Sequence, residues 1–184
     1  MHVVHGVILG ASVTSVTVAL VDVDDDVLAQ LVHVATTGAA ADEVTPPLSS
    51  RSAWTPERTA WLRDYHRDRR TGLDGPLGEV TWAVAVDGTV VGGARLQWTA
   101  DPGVADTGVW LTRSARGAGV GRAALRAVLK HATSAGVRSV VAETAAGNVG
   151  AIAVLRHLGF TVAEPAADGR VRAVVAMVGA QPGD

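Results

Sequence analysis

Arg116-Gly117-Ala118-Gly119-Val120-Gly121-Arg122 stands between a strand-like segment ending at Leu111 and a run with Leu125, Val128, Leu129 and Ala132 on one face. Those four positions follow the i, i+3, i+4, i+7 rule, so a helix is expected to begin inside the glycine stretch. A helix start offers unpaired N–H groups and about half a positive charge, which together form an anion site. Glycines let the backbone approach a phosphate closely, and Arg116 and Arg122 add positive charge. In outline, the segment is a cradle for a diphosphate.

Three known cradles compete for it. A Walker A loop requires GK[ST], and none follows. A dinucleotide fingerprint is formally present, because Gly119-Val120-Gly121-Arg122-Ala123-Ala124 satisfies GxGxxA and Glu143 ends the next strand at a plausible ribose distance. Against it, the polar stretch Thr112-Arg113-Ser114-Ala115 separates strand from glycines, and too little chain follows Glu143 to complete a dinucleotide domain. The third pattern is Arg116-x-x-Gly119-x-Gly121, followed downstream by Asn148, Ala151, Ile152 and Val154, and then Leu158-Gly159-Phe160. The pair of motifs resembles the diphosphate loop and the following helix of the GNAT superfamily of N-acetyltransferases, over about residues 108–160.

Away from that core, acidic residues 22–26 precede a periodic run from Val27 to Val34, which predicts a helix after a strand around Val16 to Leu20. A loop is expected over Thr36 to Ser52. Thr55 as N-cap and Pro56 at the first position start a second helix, which runs through Trp61, Leu62 and Tyr65 to the arginines at 67–70. Val80–Val86, Asp87-Gly88 and Val90–Trp98 read as a hairpin. Strands at Gly108–Leu111, Ser139–Glu143, Phe160–Ala163 and Val171–Val178, with a short helix at 149–158, complete the order βααβββαβαββ. The expectation is one α/β (α+β) domain over 1–184. It would hold a mixed sheet of about seven strands flanked by about four helices, with an acceptor-side half (14–106) and a cofactor core (108–160).

Composition bounds the function. The chain has 184 residues, 48% apolar and 18% charged, as a globular protein does. It has no cysteine, which excludes a disulfide framework, a thiolate nucleophile and sulfur-ligated zinc. The six histidines show no metal-ligand spacing, so no metal is expected. Net charge is −2, which argues against a nucleic-acid binder. Charge is uneven, however: residues 1–106 hold 14 acidic and 7 basic residues, and 107–184 hold 4 and 9. The apolar N-terminus lacks a basic leader and is broken by Ser12, Thr14, Ser15 and Thr17 before spanning length, so no membrane segment and a cytoplasmic location are expected.

What the resemblance implies is acetyl-CoA as co-substrate. Backbone groups of Val109, Trp110 and Leu111 would meet the pantetheine arm, and Arg116, Gly117, Ala118, Gly119, Val120, Gly121 and Arg122 the diphosphate. Asn148 and Ala151 would lie at the next helix start, where Asn148 also suits an N-cap. The basic stripe Arg122, Arg126, Lys130 faces either phosphates or solvent. In some relatives a Glu at the position of Glu143 serves as general base. It is the only carboxylate between Asp106 and Glu164, at a strand end expected to be buried, and pairing with an arginine is its alternative role. The family's tyrosine acid falls at Leu155, which cannot donate a proton. Tyr65, the one tyrosine, is a weak candidate in its place, and His157 is placed by no motif.

Acceptor-side segments carry Asp42, Glu43, Trp54, Trp61, Asp64, Tyr65 and Asp68, with Trp82 and Trp98 from the hairpin. Carboxylates beside flat rings suit a cationic amine, with an aminoglycoside-type antibiotic (and so antibiotic resistance) the leading candidate over polyamines and peptide or protein N-termini. The alternatives are packing and solvated helix faces for these same residues, and a catalytically silent acyl-CoA-binding or sensing module for the whole chain. A homodimer is compatible with the sequence.

Overall fold

The computed structural model describes residues 16–48 and 52–177. The N-terminal stretch 1–15, with its membrane question, lies outside the described residues, as do 49–51 and 178–184. Strand β1 spans Val18–Asp22, so Val16 and Thr17 precede it and do not belong to it. Helix α1 (Asp25–Gly38) starts where Asp24 accepts from the Val27 N–H at 2.8 Å, and it buries Leu28, Leu31, Val32 and Ala35. The acidic run thus does local work: one carboxylate caps the helix and two lie in its first turn.

The predicted loop at 36–52 is only partly a loop. Helix α1 extends into it, and Ala41–Val44 forms a one-turn helix, α2. Four residues without an apolar repeat give no periodic signal, and α2 is held from outside itself, as described below. Helix α3 (Pro56–Asp68) begins as expected, with Thr55 accepting from the Arg58 N–H.

Strands β2 (Glu79–Val86) and β3 (Thr89–Trp98) form the hairpin. Its two turn residues, Asp87 and Gly88, have φ of 47° and 81°, the doubly left-handed turn that matches strand twist. β4 is longer than predicted (Val104–Leu111) and leads through a short 3-10 turn at Arg113–Ala115 to helix α4 (Val120–Ser134). β5 (Ser139–Ala145), α5 (Val149–His157), β6 (Thr161–Val162) and β7 (Arg170–Ala176) follow.

Among the described residues, seven strands join one sheet in the order β1-β2-β3-β4-β5-β7-β6. Among these strands only β4 and β5 pair in parallel, and α4 is the crossover between them. The mixed seven-stranded sheet stands as expected, with four longer helices and the added turn α2. Alternation along β2 sends Trp82 and Val84 to the main apolar cluster, beside Val120, Ala124, Leu125 and Val128 of α4. Ala83 goes to the other face, with Leu28, Leu31 and Val32 of α1 and Leu62 of α3. Each fully buried leucine here is worth about 2–5 kcal/mol against alanine.

One irregularity positions everything else. The β4–β5 pairing covers only Val104–Thr107 against Ser139–Ala142. Beyond it β4 stays with β3 through Leu111, while β5 stays with β7 through Ala145. The sheet therefore opens as a V between Gly108–Leu111 and Glu143–Ala145.

Candidate active site

Two clefts meet at this opening. The first, about 670 Å³, runs from the V to the N-terminus of α4 and is lined by Val109, Trp110, Leu111, Arg116, Gly117, Gly119, Gly121, Arg122, Asn148 and Ala151. These are the residues picked from the sequence, apart from two. Val120 is 4% exposed and packs into the core, and Ala118 is exposed but outside the cleft wall. Gly117 and Gly119 have φ of 81° and 80°, and a Cβ on Gly117 would meet nothing within 4 Å. The loop thus presents bare backbone at a helix start, and Val120 begins the helix with its N–H free of intrahelical partners. Along Gly108–Leu111, every second residue turns its N–H away from β3 into the opening. A diphosphate at the loop and an extended amide-bearing arm in the V fit these groups.

Arg116 also has structural partners. Its Nε and Nη2 donate to the Leu111 carbonyl at 3.1 and 2.9 Å, and its outer nitrogens donate to Glu43. The guanidinium braces the loop against the end of β4 and against α2 while also lining the first cleft. Arg122 itself donates to His157 Nε2 at 3.1 Å. Asn148 caps α5 by accepting from the Ala151 N–H at 3.1 Å and also lines the cleft, so its two readings coexist.

The second cleft, about 520 Å³, lies on the α3 face of the sheet, walled by Trp61, Tyr65 and His66 of α3, with Glu79, Arg95 and Gln97 from the strands. Glu43, Gly108, Val109, Trp110 and Glu143 line both clefts. Two carboxylates and the β4 backbone therefore stand at the junction.

Glu143 reaches the junction, yet it is exposed and not buried as expected, because the strands have already parted at its position. Its oxygens meet Arg170 Nε at 3.3 Å and Arg172 Nη1 at 3.8 Å, both from the neighbouring β7. Tyr65 lines the second cleft and not the first. Its hydroxyl donates to Glu79, its ring stacks on Trp61 at 4.8 Å, and Arg69 lies 3.8 Å over the ring centre. Burial, with the Glu79 carboxylate next, pushes its pKa above the ordinary phenol value. Leu155, at the position of the family's tyrosine, is buried and lines the first cleft.

Other acceptor-side expectations divide. Trp61, Tyr65 and Glu43 line the second cleft, and Asp42 lines the first while pairing with buried Arg58 at 2.7 Å. Trp82 does not belong to the site: it is 5% exposed, in the main core against His131, because strand alternation points it to the α4 face. Trp98 also packs on that core. Trp54 packs on the α1–α3 cluster and donates its indole N–H to Ala39 O. Asp64 and Asp68 face solvent.

Sequence reading missed a buried charged network. Glu79, 2% exposed, accepts from Tyr65 and from Arg69 Nε, with Arg95 Nη1 at 3.9 Å; Arg95 also donates to Asp106. Burial pushes the Asp106 carboxyl up, and Arg95 opposes this. An arginine between Ala94 and Leu96 in an apolar strand was the available signal, since a half-buried cation requires partners. His66, 3% exposed, bonds Thr81 Oγ1 through Nδ1 at 2.9 Å, while its Nε2 has no partner among the described residues.

Comparison with known proteins agrees with this geometry. A family model described as an acetyltransferase (GNAT) domain matches residues 20–161. No curated protein matches the sequence. Among solved structures, the GNAT domain of S. lividans PAT is 22% identical, with a TM-score of 0.65, covering 88% of this chain and 90% of its own. yncA from Salmonella typhimurium, solved with its cofactor acetyl-CoA, is 21% identical (TM-score 0.62; 89% and 95% covered). The ribosomal-protein-S18-alanine N-acetyltransferase from Escherichia coli is 16% identical (TM-score 0.60; 90% and 97% covered). Among the described residues, no helix is long and apolar enough to cross a membrane.

Proposed function

The chain belongs to the GNAT acetyltransferase family, and we propose that it acetylates a primary amine of a small, cationic acceptor held in the second cleft, with an aminoglycoside-type antibiotic the first class to test. It is an N-acetyltransferase and uses acetyl-CoA, which supplies the acyl group as an activated thioester. The observation that carries the acceptor reading is the shared wall of the two clefts: an amine arriving there meets the carboxylates of Glu43 and Glu143.

Residue roles follow from that placement. The α4 N-terminus and the backbone of Gly117, Gly119 and Gly121, with Arg122, hold the diphosphate, while Asn148 and Ala151 flank it. N–H groups of Gly108–Leu111 that face the V bind the arm, and one of them stabilises charge developing on the acyl oxygen. Glu143 takes the proton from the attacking amine, directly or through water. Trp61 and Tyr65 present ring faces to the acceptor, and a cation over such a face is attracted to it. With Leu155 in place of a proton donor, the departing thiolate is protonated by solvent, and catalysis rests on positioning and on the β4 donors. Residues 14–106 form the acceptor-side half of one domain in this reading, and 108–160 the cofactor core.

The test is thiol release from acetyl-CoA across a panel of aminoglycosides, polyamines, amino-acid derivatives and peptide N-termini. Turnover fastest with aminoglycosides supports the reading. Turnover with another class moves the acceptor assignment to that class. Stabilisation by acetyl-CoA with no turnover on any amine replaces it with a silent acyl-CoA-binding module.

A further inference from the structure

Gly93 has no room for a side chain, and what occupies that room is Trp110. A Cβ on Gly93 would stand 2.7 Å from the indole Nε1 and 3.1 Å from Cε2. The two residues are register partners across β3 and β4, so the indole lies against the β3 backbone directly opposite its own position. At Gly92 the missing Cβ would fall 2.2 Å from the Trp110 carbonyl oxygen, which demands the same small residue. Two adjacent glycines thus let β3 and β4 close tightly around one tryptophan. A mid-strand glycine commonly marks such a close approach.

Trp110 also stands at a chemically singular place. The acyl carbon must touch both the donor sulfur and the acceptor nitrogen, so it has to lie where the two clefts share their wall. Five residues form that wall: Glu43, Gly108, Val109, Trp110 and Glu143. Glu43 and Glu143 are charged and paired with arginines, and so are poor neighbours for an apolar chain. Gly108 has no side chain. Val109 packs with the main core on the opposite face of the sheet, whereas Trp110 packs with the α1–α3 cluster on the acceptor face. Of the five, the indole is the one large apolar side chain on the acceptor face.

We infer that Trp110 sets the acyl-chain length this enzyme accepts, admitting acetyl and refusing longer chains, and that Gly93 fixes the position of the indole. The inference rests on reading the two clefts as donor and acceptor sites. It names a specificity determinant within that reading.

The experiment compares CoA, acetyl-CoA and butyryl-CoA by calorimetric affinity and, for the two acyl donors, by kcat/KM with one amine. The wild-type enzyme is expected to disfavour butyryl-CoA against acetyl-CoA by about tenfold or more, since each methylene without room costs on that scale. Trp110→Val should bring the two donors to within about threefold of each other, and Trp110→Phe should fall between. Gly93→Ala should lift the indole into the junction and weaken acetyl-CoA relative to CoA. An unchanged butyryl-to-acetyl ratio in a folded Trp110→Val protein overturns the inference. If that variant does not fold, Trp110→Phe and Gly93→Ala decide, and wild-type ratios in both overturn it equally. Failure of CoA itself to bind the wild-type protein would instead overturn the cleft assignment, so the two failures are distinct.

Discussion

Both outer nitrogens of Arg116 meet both carboxylate oxygens of Glu43, Nη1 to Oε1 at 3.1 Å and Nη2 to Oε2 at 2.8 Å, across 73 residues of sequence. The same guanidinium holds the Leu111 carbonyl. One side chain therefore ties the cofactor loop to the end of β4 and to α2, which walls both clefts.

The two halves of that tie are unequal. Glu43 and Arg116 are about half exposed, with side-chain exposures of 41% and 44%, so their ion pair is worth no more than about 1 kcal/mol. Leu111 is buried, and leaving its carbonyl without donors costs roughly 1–3 kcal/mol more. Urea denaturation should show Arg116→Ala destabilising the protein by more than Glu43→Gln. Equal losses would mean that the Leu111 bonds contribute nothing.

Glu143 supplies a direct kinetic test. Arg170 and Arg172 hold its carboxylate at the junction. If it accepts the amine proton, Glu143→Gln should lower kcat at saturating amine by about a hundredfold. A wild-type rate in the variant would remove Glu143 from the chemistry and leave it as the partner of two arginines.

How much of this could be read from the chain follows from the range of the interactions. The glycine loop, the Thr55 and Asn148 caps and the Asp87-Gly88 turn are set within a few residues, and each stands where the sequence places it. Helix α2 could not be read, because Asp42 and Glu43 find their partners at Arg58 and Arg116, on other elements. Trp82 suits a site by its type, whereas the phase of strand alternation sends it to the core. The exposure of Glu143 depends on where β4 and β5 part, and no local pattern encodes that point. Glu79 was invisible as a site residue because Tyr65, Arg69 and Arg95 converge on it from two elements.

His66 predicts the acid sensitivity of the fold. Burial, with Arg69 next, depresses its pKa from 6.5 to about 4. Above pH 6.5 the ring is neutral both folded and unfolded, so its full contribution is present. As pH falls below 6.5, the unfolded chain takes up a proton that the folded chain refuses until about pH 4. Stability is therefore lost across that window, on the order of 3 kcal/mol from this group. Denaturation between pH 7 and 4 should show a steeper loss for wild type than for His66→Asn. Parallel curves would mean that His66 takes up its proton as readily in the folded chain as in the unfolded one.

Tyr65 offers a measurement of its own because it is the only tyrosine in the chain. Its hydroxyl donates to Glu79, and losing that proton would place a phenolate against a buried carboxylate. Burial is the larger penalty and the Glu79 carboxylate the next, and both raise its pKa above the ordinary value. Phenolate absorbance in an alkaline titration should stay absent through the usual phenol range near about 10 and rise only with unfolding. Glu79→Gln removes the opposing charge, so the same titration should move down in a protein that remains folded. It also leaves Arg69 facing a neutral amide, a loss of several kcal/mol for a buried pair, so fluorescence should record the unfolding midpoint in parallel. Ordinary titration of Tyr65 in the folded wild-type protein would show that its hydroxyl is free of Glu79, and would return it to the short list of groups able to protonate a departing thiolate.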